Sequence, residues 1–146
     1  MVSASGAQVA LVRFNELNMT RPTDILIIED DPIMREALAE WLVAAGHDVR
    51  KAADGSAGVA AVKLAVPALV VTDIYMPGAN GAWVIAELKR EHPQIPIIAI
   101  SGLFKSGYGM DADAAIALGA ARALTKPFKR DELLRAVSDL LGSPAG

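Results

Sequence analysis

The sequence predicts an α/β fold on a five-stranded parallel sheet, and three observations carry that prediction. The apolar runs at 25–28, 69–71 and 95–100 are nearly continuous and rich in Ile and Val, as strands buried on both faces of a parallel sheet are. Stretches of helical periodicity separate them, which right-handed crossovers between parallel strands require. Each inner run also hands over to a polar or charged residue at its carboxyl end, the edge where open α/β sheets bind ligands.

Composition bounds the rest. A chain of 146 residues with 53% hydrophobic content suits one domain with a full core. The formal net charge of −3 and the lack of a Lys/Arg cluster leave out the electrostatic footprint of a nucleic-acid binder. The absence of cysteine excludes a disulfide framework, a thiolate nucleophile and a cysteine zinc site. No apolar run approaches the ~20 residues of a membrane helix and no signal core follows the N-terminus, so a soluble cytoplasmic protein without membrane association is expected.

In chain order, residues 1–22 form an N-terminal extension in which Met19 offers an alternative start; it reads as a loosely held tail or as a segment docking on a neighbouring subunit. The compact domain is expected over 23–142. Residues 25–28 make the first strand, ending in Glu29, Asp30 and Asp31. Asp31 is a natural N-cap and Pro32 suits the first helical position; Met34, Ala37, Leu38, Trp41, Leu42 and Ala45 then recur at helical spacing until Gly46. Residues 47–52 read as a short edge strand and 56–65 as an alanine-rich helix ended before Pro67. His47 and His92 sit at helix ends, where histidine commonly meets terminal carbonyls.

The third strand, from Leu69, delivers Asp73 ahead of a break at Met76-Pro77-Gly78; at this point Asp73 is either a turn cap or a chemical group. A helix over 82–92 buries Val84, Ile85 and Leu88, with Trp83 at its start near the expected site. The fourth strand, 95–100, leads into Ser101 and a glycine-rich loop, 102–110, expected to be mobile, and then a helix over 111–118 that Gly119 ends. The fifth strand, 122–125, ends at Lys126-Pro127-Phe128. A last helix over 131–141 presents Leu133, Leu134, Val137, Leu140 and Leu141 as its buried stripe, and 143–146 is a tail.

The flavodoxin-like strand order 2-1-3-4-5 sets the ends of strands one, three, four and five side by side, bringing Glu29 and Asp30, Asp73, Ser101 and Lys126 to one edge. Carboxylates gathered in one place repel unless a cation lies between them, and an oxygen-only set favours a hard ion, Mg²⁺ or Mn²⁺. The hydroxyl and the ammonium suit an incoming phosphoryl group, towards which Asp73 can act as nucleophile.

Over roughly residues 23 to 141 these motifs resemble the receiver domain of two-component response regulators. The resemblance implies that Glu29 and Asp30 are the metal-binding pair, with Asp30 the direct ligand and Glu29 acting through water. Within Thr72-Asp-Ile-Tyr-Met-Pro-Gly78 it makes Asp73 the phosphoacceptor and the Tyr75 main-chain carbonyl a further metal ligand. Ser101 matches the switch hydroxyl and Lys126-Pro127 the family's lysine and proline, a bond often cis. The implied donor is a sensor histidine kinase or a histidine phosphotransfer protein, and the implied activity is limited to the domain's own phosphorylation and dephosphorylation.

Two departures stand out. The position of the family's aromatic switch is Ala123, so an output change is expected to run through Ser101, the 102–110 loop and the helix after it. That loop is also longer and richer in glycine than usual. With no output segment after residue 141, the expectation is a single-domain regulator acting on a downstream protein and not on nucleic acid; a homodimer is left open. Three other readings compete. A phosphohydrolase with an aspartyl-phosphate intermediate would want an acid where Tyr75 stands, and a flavin carrier would want a phosphate loop where the acids of strand one stand. A pseudo-receiver that binds partners without phosphorylation would not need Asp30, Asp73, Ser101 and Lys126 together.

Overall fold

The computed structural model describes residues 24–142; the N-terminal extension and the tail at 143–146 lie outside the described residues. Ten elements alternate along them: β1 (Asp24–Ile28), α1 (Pro32–Ala44), β2 (Asp48–Ala52), α2 (Gly55–Leu64), β3 (Leu69–Asp73), α3 (Gly81–Glu91), β4 (Ile97–Ser101), α4 (Ala112–Leu118), β5 (Arg122–Thr125) and α5 (Arg130–Leu141). The strands form one parallel sheet in the order β2-β1-β3-β4-β5, as expected.

Both faces of the sheet are covered, which is why its inner strands carry apolar residues without alternation. Ile25, Ile27, Leu69, Val71, Ile98 and Ile100 pack with Leu38 and Leu42 of α1 and with Leu133 and Val137 of α5. Leu26, Ile28, Val70, Ile97 and Ala99 point the other way, onto Val59 and Val62 of α2, Val84, Ile85 and Leu88 of α3 and Ala115 of α4. Gly58 of α2 lies so close to Ile28 that a Cβ there would collide with the isoleucine side chain.

Local chemistry sets the helix ends. Asp31 accepts the Ile33 N–H at 3.0 Å, with Pro32 opening α1 as expected. At the other end, Gly46, with φ +101°, donates to the Val43 carbonyl and His47 to that of Leu42, a Schellman closure. Asp54, Asn80 and Asp111 cap α2, α3 and α4 in the same manner as Asp31, while the Glu132 side chain accepts the Lys129 N–H at the start of α5.

Some sequence expectations are corrected. β4 begins at Ile97 and not at Ile95, because Pro96 has no N–H to give a ladder; its carbonyl accepts from Val70 while Ile95 stays buried. On α5 the fully buried residues are Leu133, Ala136 and Val137, and Leu134, Leu140 and Leu141 are covered only partly, at the margin of the α1 packing. Ala39 likewise joins the buried residues of α1. No helix among the described residues is long and apolar enough to cross a membrane.

Candidate functional site

The carboxyl ends of β1, β3 and β5 converge on a cluster of charge. Strand alternation explains the meeting: Glu29 continues the pleat of Ile25 and Ile27, Asp73 that of Leu69 and Val71, and Lys126 that of Leu124, all on the face covered by α1 and α5. The Lys126 ammonium lies 2.9 Å from Glu29 Oε1 and 3.1 Å from Asp73 Oδ2. Both carboxylates are buried, Glu29 completely. Asp30 completes the group: Glu29, Asp30 and Asp73 each offer an oxygen within 4.8 Å of the others.

The backbone holds these groups tightly. Glu29 takes part in three further hydrogen bonds: its N–H donates to the Ala52 carbonyl, its Oε2 accepts the Asp31 N–H, and its carbonyl accepts from Arg35. Beyond Asp73, the Ile74 N–H donates to Ile100 and the Ile74 carbonyl accepts from Gly81. A Cβ on Gly81 would collide with the Asp73 carbonyl, so α3 starts against the strand that delivers the aspartate. The Lys126-Pro127 peptide is cis, as the resemblance implies.

Electrostatics follow from this packing. Burial pushes the Glu29 carboxyl up from 4.5 to about 7, with the Asp73 charge adding to the rise and Lys126 opposing it. For Lys126 burial acts downwards, but Glu29 and Asp73 together outweigh it and the net direction is upwards. Asp73 Oδ1 and both Asp30 oxygens make no hydrogen bond or ion pair among the described residues, whereas Glu29 is committed to Lys126. Three carboxylates against one ammonium leave an excess of negative charge on hard oxygen donors, the donor set that a divalent cation such as Mg²⁺ takes.

Ser101 reaches the same edge but by the other pleat, following Ile97 and Ala99; its buried hydroxyl accepts the Leu103 N–H at 2.9 Å. His47 and His92 follow the carboxyl ends of α1 and α3 and so stand at the opposite edge of the sheet, away from the carboxylates. Trp83 lies in the first turn of α3, with its N–H on the Asn80 side chain. The role of Arg35, and that of the Tyr75 side chain, escaped the sequence reading. Arg35 locks the β1–α1 turn through the Glu29 carbonyl, and a basic residue one turn into α1 was its only signal. The Tyr75 side chain crosses to the Met110 N–H, 35 residues away, for which no local pattern existed.

The fold and this arrangement define a doubly wound α/β domain with an acidic cluster and a lysine at the carboxyl edge of its sheet. A family model described as "Response regulator receiver domain" matches residues 25–138, and the chain belongs to that family, the receiver domains of two-component response regulators. It is 40% identical over 117 residues to the transcriptional regulatory protein TcrA of Mycobacterium tuberculosis, covering 78% of this chain and 45% of that protein. It is 35% identical to the nitrogen assimilation regulatory protein NtrX of Azorhizobium caulinodans over 113 residues, 76% of this chain and 24% of NtrX. The chain thus spans less than half the length of these curated relatives. Among solved structures, the receiver domain of NtrX from Brucella abortus superposes with a TM-score of 0.74 at 34% identity, over 81% of this chain and 98% of that one. A putative response regulator from Chloroflexus aurantiacus gives 0.75 at 28% identity, over 83% and 98%.

Proposed function

We propose that this receiver accepts a phosphoryl group on Asp73 from the phosphohistidine of a sensor kinase or phosphotransfer protein, and that the acyl phosphate switches the binding of a partner protein. The observation that carries this reading is the convergence of Asp73, Glu29, Asp30 and Lys126 on one point, with Asp73 Oδ1 free of any hydrogen bond within the described protein.

In the proposed step, Asp73 Oδ1 attacks phosphorus in line with the departing imidazole; the new O–P bond forms as the N–P bond breaks, and the histidine leaves with the electron pair. Lys126, already against Asp73 Oδ2, supplies positive charge beside the incoming phosphoryl oxygens. Asp30, Asp73 and the Tyr75 main-chain carbonyl, with Glu29 acting through water, are the groups we assign to Mg²⁺ or Mn²⁺, which when bound would offset the charge shared between carboxylates and phosphate. Ser101 is assigned as the hydroxyl that meets the phosphoryl group once it gives up the Leu103 N–H. The net charge of −3 supports a protein partner over direct contact with nucleic acid for this stretch of chain.

Intact mass after incubation with Mg²⁺ and acetyl phosphate tests the reading, with Asp73→Asn alongside. One added phosphate in the wild type and none in the variant is the expected outcome. No addition to the wild type despite measurable Mg²⁺ binding would replace this reading with that of a phosphorylation-independent interaction module.

A further inference from the structure

With Ala123 on β5 there is no ring on that strand to follow the state of Asp73, and the structure offers a different aromatic. Tyr75 leaves the phosphoacceptor strand two residues after Asp73, from a backbone clamped by the Ile74 hydrogen bonds to Ile100 and Gly81. Its hydroxyl accepts the Met110 N–H at the end of the β4–α4 loop, immediately before the Asp111 that caps α4. The loop is shaped to receive it. Gly109 adopts φ +70°, a conformation that favours glycine, and a Cβ there would collide with the Tyr75 hydroxyl and ring. Met110 in turn packs against the apolar cluster under α3 and α4.

The loop is therefore held at both ends, by the hydroxyl that ends β4 and by a side chain two residues after Asp73. At its start the Ser101 hydroxyl takes the Leu103 N–H, and at its end Tyr75 takes that of Met110; between them Ser106 ties its own turn to Leu103 and Tyr108. We infer that the Tyr75–Met110 hydrogen bond is a strap that reports the state of Asp73 to α4. It is closed in the resting protein and released when phosphorylation shifts the backbone that carries Asp73 and Tyr75. This inference rests on the proposed phosphorylation of Asp73. It gives Tyr75 the reporting role that Ala123 cannot play, through a bond to main chain and not through ring rotation.

The test follows amide exchange at Met110 in the full chain by NMR, with and without Mg²⁺ and acetyl phosphate, and with intact mass taken on the same samples. In the resting wild type the Met110 amide should exchange slowly. Tyr75→Phe removes the acceptor and keeps the ring, and Gly109→Ala breaks the strap from the loop side; each should speed exchange by roughly fivefold or more. Phosphorylated wild type should reach the same fast level. Gly109→Ala should take up phosphate to the wild-type extent yet show no further change at Met110, a loss of response that a merely structural contact would not produce. A Met110 amide that stays slow in wild type of confirmed phosphate mass, or slow in resting Tyr75→Phe, overturns the strap. Wild type that takes up no phosphate defeats the proposed phosphorylation of Asp73, and the switching role of the strap falls with it.

Discussion

Replacing Lys126 with Met keeps much of the apolar stem and removes the charge that faces both buried carboxylates, 2.9 Å from Glu29 and 3.1 Å from Asp73. With the lysine present, Glu29 already stands at about 7 against an ordinary 4.5. A carboxyl raised in the fold binds more protons folded than unfolded, so wild-type stability should fall as pH rises through that window and level off above it, where Glu29 is ionised in both states. Without Lys126, Glu29 keeps its proton to higher pH and the decline continues, at ~1.4 kcal/mol per pH unit. The variant should therefore lose about 1 kcal/mol more, relative to wild type, near pH 8 than near pH 6, where the loss is that of the Lys126–Asp73 pair. Urea unfolding of the two proteins at both pH values, with EDTA present, measures this directly. Equal losses at the two pH values would refute the account of Glu29 as the group that absorbs the change.

Glu29→Gln should flatten the same profile, removing about 2 kcal/mol of the stability difference between pH values near 5 and 7, as read from urea midpoints. Gly81→Ala, whose new Cβ meets the Asp73 carbonyl and the Ile74 Cα, should cost ~1–3 kcal/mol and lower acetyl phosphate labelling of Asp73, whereas Gly58→Ala meets only the Ile28 side chain and should lower the Tm less without changing labelling at saturating donor. Asp31→Ala removes the acceptor for the Ile33 N–H and should cost ~1 kcal/mol in thermal unfolding.

Much of the fold was legible because it is written in short-range chemistry. The runs at 25–28 and 69–71 are strands because nearly every residue is apolar and both faces are covered, and Asp31-Pro32 opens a helix through interactions within three residues. Gly46 closes it through the positive φ that the turn demands. The start of β4 was misread because Ile95 is as apolar as its neighbours, and the missing N–H of Pro96 matters only opposite Val70. The stripe of α5 was drawn too wide for a related reason. Burial of Ala136 over Leu140 depends on how far the helix axis stands from α1 and the sheet, which no periodicity records.

The site divides along the same line. The sequence by itself determined which polar residues end the inner strands, and the strand order that the crossover rule favours brought Glu29, Asp30, Asp73, Ser101 and Lys126 to one edge. The packing of the helices decided which face each pleat meets. It put Glu29, Asp73 and Lys126 on the face under α1 and α5 and turned the Ser101 hydroxyl to Leu103. It also buried Glu29, and not Asp30, against Lys126, and that burial raised the Glu29 pKa to about 7 despite the lysine. The contact between Tyr75 and Met110 belongs to tertiary structure alone: it joins two loops whose separation is set by the packing of β3 against β4, and a chain read residue by residue holds no distance between them.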